Sequence, residues 1–173
     1  MVKILLGCTG SVACVKVGEV IEFLKRIKNS EIRVVVTKNA KHFYNFNTLS
    51  VKVYEDKDEW TWSKMGDKVL HIELRSWADV FVIAPLDANT LGKLSSGICD
   101  NLVTCIARAW KIGEPLIFCP AMNSFMWDHP CTKSSVDTLA SWGYIQVPPI
   151  RKVLACGDEG IGAMAKPETI FQV

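Results

Sequence analysis

Short apolar runs alternate along this chain with segments in which apolar residues recur at helical spacing. Residues 2–6 form the first such run, and a glycine-containing turn follows before apolar side chains recur every three or four positions. This pattern predicts a strand, a tight turn and a helix, because a strand alternates its faces while a helix repeats every 3.6 residues. The apolar face of the helix is expected to comprise Ala13, Val17, Val20, Leu24 and Ile27.

The same alternation continues to the end of the chain. Helices are predicted over residues 100–110 and 132–142, with Gly143 ending the second, and residues 40–47 are expected to be helical or irregular. Strands that alternate with helices favour a parallel sheet with helices on both faces. The predicted fold is therefore α/β, a three-layer doubly wound parallel sheet of the Rossmann-like or flavodoxin-like kind. Its further strands are predicted at residues 33–36, 51–54 (a marginal strand), 80–84, 116–119 and 144–147.

Length and composition indicate one domain that covers residues 1–173. An apolar content of 49% supplies a full core without metal or disulfide support. The longest apolar runs are too short to cross a bilayer and the first residues do not resemble a signal peptide, so a cytoplasmic location is expected. A net charge of +2 from well-mixed charges gives no reason to propose nucleic acid or a membrane as partner, although a small anionic ligand remains open.

The seven cysteines form an odd set with no C-x-x-C pair, and most lie in apolar segments. They therefore indicate neither a disulfide framework nor a metal site, and reduced thiols are expected. Cys156 differs because three glycines surround it and Pro148 and Pro149 precede it. That composition is typical of a mobile flap rather than a packed element. From the segment alone, a reactive thiol and a buried one are equally supported.

Ligands of doubly wound sheets bind beyond the carboxyl ends of the strands, so the residues after each apolar run are the informative ones. Gly10 and Ser11 open the first predicted helix, where free amides and the helix dipole favour a phosphate. The turn lacks the G-x-G-x-x-G pattern, and Thr37 stands where a dinucleotide site has an acidic residue. A mononucleotide is thus favoured over NAD, with an ordinary glycine turn as the structural alternative.

Other candidate side chains also have a structural alternative. Residues 87–90 supply small and amide groups, and Asn123 offers a neutral amide that can bind a carboxylate. Both segments equally fit helix N-caps. His71 lies in an apolar stretch, where a lone histidine is more often a satisfied core residue than a catalyst, and His42 and His129 lie among turn or surface residues.

Residues 56–67 are predicted to be an irregular insertion, with Trp60 and Trp62 among charged side chains. Exposed tryptophans in such a segment more often cover a core edge or a subunit contact than stack on a ligand.

Five segments together resemble the homo-oligomeric flavin-containing cysteine decarboxylase family, and they cover nearly the whole chain in the family's order. The resemblance is strongest to the members that act on 4′-phosphopantothenoylcysteine. It implies FMN-dependent decarboxylation of this small molecule to 4′-phosphopantetheine in coenzyme A biosynthesis, by a homotrimer with flavin at its subunit contacts. The segments are GCTGSVA at 7–13, LHIEL at 70–74, APLDANTLGK at 84–93, PAMN at 120–123 and CGDEG at 156–160.

The resemblance also implies a role for individual residues. It gives catalysis to His71, Asn123 and Cys156: His71 as base or orienting group, Asn123 on the substrate carboxylate, and Cys156 as proton donor on a substrate flap at about 148–165. Met126 would line the carboxylate pocket. Phe43 and the segment with Trp60 and Trp62 are candidates for reaching a neighbouring subunit. The implied FMN-binding residues are Gly10, Ser11, Val12, Thr37, Phe43, Ala88, Asn89, Thr90, Ala121 and Met122.

Two other functions remain open beside this one. Some relatives of the fold regulate a protein phosphatase without catalysis, but they tend to carry acidic extensions or to lack an active-site residue, and this chain has neither feature. A peptidyl-cysteine decarboxylase is the other alternative, and the flap and LHIEL segments resemble the coenzyme A enzyme more. Ala163 stands where some family members have arginine, so no contact from that side chain is expected.

Overall fold

The computed structural model describes residues 1–173 and contains eight strands and two helical layers around a parallel sheet. The strands are β1 Val2–Cys8, β2 Ser30–Val36, β3 Lys52–Tyr54, β4 Val80–Leu86, β5 Leu116–Pro120, β6 Ile145–Gln146, β7 Ile150–Val153 and β8 Glu159–Ala163. The α-helices are α1 Val17–Leu24, α2 Ala40–Phe43, α3 Asp56–Glu59, α4 Leu70–Trp77, α5 Ala88–Ser95, α6 Leu102–Arg108, α7 Ser124–Asp128, α8 Pro130–Ser141 and α9 Pro167–Phe171. Two 3₁₀ helices span Val12–Lys16 and Phe46–Thr48.

The sheet has six strands in the order β3-β2-β1-β4-β5-β6, and every neighbouring pair is parallel. The predicted doubly wound parallel sheet is therefore confirmed. Chain order reverses between β1 and β4, which makes the carboxyl ends of these two strands the topological switch point. Strands β7 and β8 form a separate antiparallel hairpin.

Both faces of the sheet are buried, so the central strands are apolar at nearly every position. In β1, Ile4 and Leu6 belong to the apolar cluster under α1 and α9, whereas Leu5 belongs to the cluster under α4 and α6. This alternation is the two-residue period of a strand. None of the helices combines the length and the apolar character that crossing a membrane requires.

Differences between the predicted and observed elements are informative at two segments. The α1 helix ends at Leu24, although Ile27 still packs against the core, so apolar periodicity outlasts the helix. The insertion at 56–67 is not wholly irregular, because its first turn is α3, where Glu55 and Asp58 form a capping box. Helices α4 and α9 have no predicted counterpart, since each is too short to repeat the helical spacing clearly.

The expected flap is a packed hairpin rather than an unstructured segment, so the prediction against a packed element is wrong. An added Cβ at Gly162 would lie 2.1 Å from the carbonyl oxygen of Met122, and one at Gly160 would lie 2.8 Å from Ser124 Cβ. These two glycines permit two chain segments to approach closely. Of the three glycines in the hairpin, Gly157 at the tip is the one that combines a positive φ, of 91°, with open space around it.

Candidate active site

Thr9 joins the carboxyl ends of β1 and β4 at the switch point. Its buried hydroxyl donates to the Pro85 carbonyl at 2.9 Å and accepts from the backbone N–H of Asp87 at 2.7 Å. At Gly10, an added Cβ would lie 2.7 Å from Asn39 Cβ and 3.1 Å from Asp87 Oδ2. The segments that follow β1, β2 and β4 thus approach one another so closely at Gly10 that no larger residue fits there. This role of Thr9 was not predictable from sequence, because its contacts are 76 and 78 residues away along the chain.

The α5 helix begins at this point with unpaired donors. Asp87 caps the helix by accepting from the N–H of Thr90 at 2.7 Å, so the predicted cap alternative is correct for this side chain. The first N–H to bond along the helix is that of Leu91. The N–H groups of Ala88 and Asn89 therefore have no acceptor within the helix, which is the usual anion-binding arrangement of a helix start.

The ends of β1 and β2 supply two further helix starts. Ser11 caps the first 3₁₀ helix by accepting from the N–H of Ala13 at 3.2 Å, and the first residue of that helix, Val12, is exposed. Thr37 is buried, and its hydroxyl accepts from the N–H of Ala40 at 3.3 Å. Polar groups from three strand ends thus face one region.

A cleft of about 180 Å³ lies between these helix starts, and none of its lining residues is hydrophobic. Polar walls suit a phosphate or a hydroxylated chain, whereas an aromatic ring needs apolar walls. A larger cleft of about 390 Å³ opens at the opposite end of the sheet, beside the starts of β2 and β3. Because ligands of these folds bind at the carboxyl ends of strands, the smaller cleft is the candidate site. It is lined by Thr37, Lys38, Asn39, Asp56, Asp87, Asn89, Thr90, Lys93, Asp100 and Asn101.

His71 is the second residue of α4, and Glu59 at the end of α3 holds it. Glu59 Oε1 lies 2.5 Å from His71 Nδ1, and Oε2 accepts from the His71 backbone N–H at 3.0 Å. Their side chains are 15% and 25% exposed, respectively. His71 is therefore not a core histidine in apolar surroundings. Sequence reasoning missed Glu59, because it lies in the predicted irregular insertion and only α3 brings it beside a residue 12 positions away.

Asn123 and Cys156 lie together although 33 residues separate them. Asn123 Oδ1 caps α7 by accepting from the N–H of Phe125 at 2.8 Å, while its Nδ2 donates to Cys156 Sγ at 3.3 Å. The cap and the functional role are thus compatible, because each end of the amide makes its own contact. Cys156 is exposed at the hairpin tip, with Sγ 3.4 Å from Asp158 Oδ2.

The other predicted residues lie near these groups or at the surface. Ala121 donates its N–H to the last carbonyl of β4 at 2.9 Å, and Met122 donates to the Gly162 carbonyl at 2.9 Å. These bonds hold the end of β5 against β4 and the hairpin. Met126 is half exposed on α7, and Phe43 is half-buried at the end of α2, where it packs on the core.

The structure therefore brings Asn123 and Cys156 together but leaves His71 apart. No hydrogen bond or ion pair connects His71 with either of them, and the one hydrogen-bond partner of its ring is Glu59. The cleft at the switch point forms a third group.

The buried thiols differ from Cys156. Burial raises the pKa of Cys14 to about 11 and that of Cys119 to about 12, and it raises the pKa of Cys8 well above the usual value. Cys14 Sγ also donates to the Thr9 carbonyl at 3.1 Å. These thiols are core groups that stay protonated at neutral pH.

The chain is similar to known proteins along nearly its whole length. A family model described as Flavoprotein matches residues 1–173. Phosphopantothenoylcysteine decarboxylase of Mus musculus is 52% identical over 169 residues, which cover 97% of this chain and 83% of that protein. A solved Cys-to-Ser mutant of PPC decarboxylase, complexed with pantothenoylaminoethenethiol, has a TM-score of 0.95 at 50% identity and covers 99% of this chain and 94% of its own. The FMN binding protein AtHal3 has a TM-score of 0.90 at 51% identity, with 98% and 92% covered.

Proposed function

Because the chain belongs to the flavoprotein family and is similar throughout to its phosphopantothenoylcysteine decarboxylases, we propose that it is an FMN-dependent carboxy-lyase of coenzyme A biosynthesis. Its substrate is 4′-phosphopantothenoylcysteine and its product is 4′-phosphopantetheine. The contact that carries the proposal is the 3.3 Å hydrogen bond between Asn123 and Cys156, which brings a carboxylate-binding amide and a proton-donating thiol together beside the switch point.

The residues at the switch point fit a flavin mononucleotide. The free N–H groups of Ala88 and Asn89 and the polar cleft suit its phosphate and hydroxylated chain. Ala121 or Met122 would lie near the ring. When bound, FMN would supply a hydride acceptor for the thiol-bearing carbon of the substrate and, once reduced, the hydride donor for the last step, so the net redox change would be zero.

His71 acts at the substrate thiol. Since Glu59 occupies Nδ1, the ring nitrogen that remains free is Nε2. This nitrogen receives the thiol proton or orients the thiol while the thiol-bearing carbon is oxidised. The resulting thioaldehyde lies β to the carboxylate and accepts the electrons left behind by CO2.

Asn123 and Cys156 act on the substrate carboxylate and on the carbon that carries it. Asn123 binds the carboxylate with a neutral amide, which stabilises the charged ground state less than arginine would. After CO2 leaves, Cys156 Sγ donates a proton to the carbon that carried it. The Cys-to-Ser relative bound to pantothenoylaminoethenethiol supports this order, because an enethiol is what CO2 loss yields before that proton and the hydride are added.

We also propose a homotrimer with flavin sites at its subunit contacts. Exposed apolar side chains in the segment between α3 and α4 support it: Trp60 is 83% exposed and Met65 is 89% exposed, which is typical of a surface that another subunit covers. A second copy would also bring a His71 ring towards the Asn123 and Cys156 pair. Light scattering that gives a monomeric mass would contradict this assembly. A cytoplasmic location is proposed because seven free cysteines suit a reducing compartment.

The decisive experiment is a substrate comparison with the purified protein. We expect yellow protein with one FMN per chain that releases CO2 from 4′-phosphopantothenoylcysteine and forms 4′-phosphopantetheine. A peptide that ends in cysteine serves as the competing substrate. Flavin-free protein, or decarboxylation of the peptide alone, would contradict the proposed function.

A further inference from the structure

Both carboxylate oxygens of Glu59 contact the same residue, His71. Oε1 meets the ring of His71 at 2.5 Å, Oε2 accepts its backbone N–H at 3.0 Å, and Glu59 has no other hydrogen-bond partner. We propose that Glu59 is a positioning residue that holds the His71 hydrogen on Nδ1 and leaves Nε2 as the nitrogen that accepts the substrate's thiol proton. The kinetic part of this inference rests on the proposed function, whereas the tautomer does not.

The tautomer follows from the atoms in contact. An ionised carboxylate only accepts hydrogen bonds, and the neutral imidazole has one N–H and one lone pair. A lone pair on Nδ1 would face the lone pairs of Oε1 at 2.5 Å, so the hydrogen belongs between these two atoms. In neutral His71 the other nitrogen, Nε2, is then the proton acceptor.

The backbone around Glu59 fixes its position. Glu55 and Asp58 cap the start of α3, and Asp56 Oδ1 accepts from the N–H of Leu102 in α6 at 2.9 Å. The short helix is thereby attached to α6 on one side and, through Glu59, to α4 on the other. A side chain held in this way keeps the histidine ring oriented before any substrate binds.

His129 provides the opposite case within the same chain. Its Nδ1 accepts from the backbone N–H of Cys131 at 3.2 Å, which places its hydrogen on Nε2. The chain has only three histidines, so ¹⁵N-histidine labelling gives a simple spectrum in which His129 is the internal reference. The variant His71→Asn identifies the His71 signals by their disappearance.

A purely structural role makes a different prediction. The α4 helix has no side-chain cap at Val69, so Glu59 could serve only to satisfy an amide of its first turn. In Glu59→Gln the amide oxygen still accepts the His71 backbone N–H, but the NH₂ group can only donate to Nδ1. Nδ1 must then carry the lone pair, and the hydrogen moves to Nε2. Glu59→Ala removes both contacts and leaves the tautomer free.

The test measures tautomer, rate and stability in the holoenzyme. We expect ¹⁵N shifts that show a protonated Nδ1 in wild type and a protonated Nε2 in Glu59→Gln. Bleaching of the flavin by 4′-phosphopantothenoylcysteine should slow about 10²-fold in Glu59→Gln and less in Glu59→Ala. Thermal stability should show the reverse order, with Glu59→Ala the less stable variant. Glu73→Gln is the matched control, because Glu73 lies on the same helix as His71 and pairs with exposed Lys68 at 3.2 Å. This variant should change neither the tautomer of His71 nor the rate.

Two results would overturn the inference. One is an unchanged His71 tautomer in Glu59→Gln. The other is a rate that follows stability, with Glu59→Ala slower than Glu59→Gln. A wild-type holoenzyme whose flavin the substrate does not reduce would instead refute the proposed function, and the tautomer spectra would still decide whether Glu59 orients His71.

Discussion

The His71 and Glu59 pair and the Asn123 and Cys156 pair are built differently. The first joins a carboxylate and an imidazole at 2.5 Å between two helices, with both side chains largely buried. The second joins a neutral amide and an exposed thiol at 3.3 Å. A proton acceptor that acts first benefits from a fixed orientation, whereas a donor that acts after CO2 leaves must approach a changing substrate. This difference supports the proposal that the two pairs serve different steps.

The two pairs also differ in how they are attached. Close contacts at Gly160 with the Ser124 side chain and at Gly162 with the Met122 carbonyl hold strand β8, whereas open space surrounds Gly157 at the tip beside exposed Cys156. The hairpin thus carries an exposed thiol next to a strand that packs against the segment after β5. Variants that affect one pair and spare the other test this division.

Replacing Cys156 is expected to have the largest effect. In Cys156→Ser the hydroxyl keeps a hydrogen bond to Asn123 but is a far weaker acid, so formation of 4′-phosphopantetheine should fall about 10⁴-fold. The purified variant should be yellow, release CO2, and then stall with reduced flavin and a decarboxylated, oxidised product. Stopped-flow absorbance and mass spectrometry measure these steps. Normal turnover would remove Cys156 from the mechanism.

Replacing His71 should stop the reaction earlier. His71→Asn should retain FMN but reduce the rate of flavin bleaching by substrate about 10³-fold, because the thiol loses its proton acceptor. A colourless, unfolded variant would instead favour a structural histidine.

Mixing the two variants tests whether the pairs act across subunits. If His71 and Cys156 of one site come from different chains, co-assembly of His71→Asn with Cys156→Ser restores about a quarter of the sites by random pairing in a symmetric oligomer. Each variant assembled alone is the control. Product formed by the mixture but by neither variant would show sharing. A mixture no more active than its components would place both pairs in one chain.

Gly162→Ala should disturb one pair only. The new Cβ would meet the Met122 carbonyl oxygen, so the hairpin must shift, at a cost of about 1–3 kcal/mol in the free energy of unfolding. Product formation should slow more than flavin bleaching, because the shift moves Cys156 and leaves His71 in place. Gly157→Ala is the control, since its site has open space and only the positive φ costs about 1 kcal/mol. Equal slowing of both steps by Gly162→Ala would contradict the division.

The smallest expected effect is a difference in alkylation between exposed and buried cysteines. Iodoacetamide at pH 8 should label exposed Cys156, Cys99 and Cys131 and spare Cys14 and Cys119, because burial blocks access and raises the pKa of these two thiols to about 11 and about 12. Peptide mass spectrometry measures the labelling. Labelling of Cys14 or Cys119 in folded protein at the rate of Cys156 would contradict this arrangement.

Much of the fold was predictable because it depends on local patterns. Runs of apolar residues predicted the strands of the parallel sheet, and the residues after them, among them Thr37 and Asn123, lie at its carboxyl edge. The pattern was less informative for α3 and α4, since each helix has too few turns for the helical period to stand out.

The roles of individual side chains were harder to predict. Asn123 fitted both a cap and a ligand-binding group, and only the fold showed that its two ends make separate contacts. The glycines around Cys156 predicted mobility, but Gly160 and Gly162 permit packing against residues far away in the sequence. The sequence shows that glycine is present at a position, but it does not show whether a turn or a closely packed neighbour requires glycine there.

The sequence by itself determined the alternation of strands and helices in the parallel sheet, the residues that follow its strands, and the motifs that carry the family resemblance. Tertiary structure decided the pairs: Glu59 with His71, Asn123 with Cys156, and Thr9 with the end of β4. The physical reason is the range of the interactions. Periodicity and turn chemistry act between neighbours in the chain, whereas a hydrogen bond between distant residues exists only after the core has packed the elements that carry them.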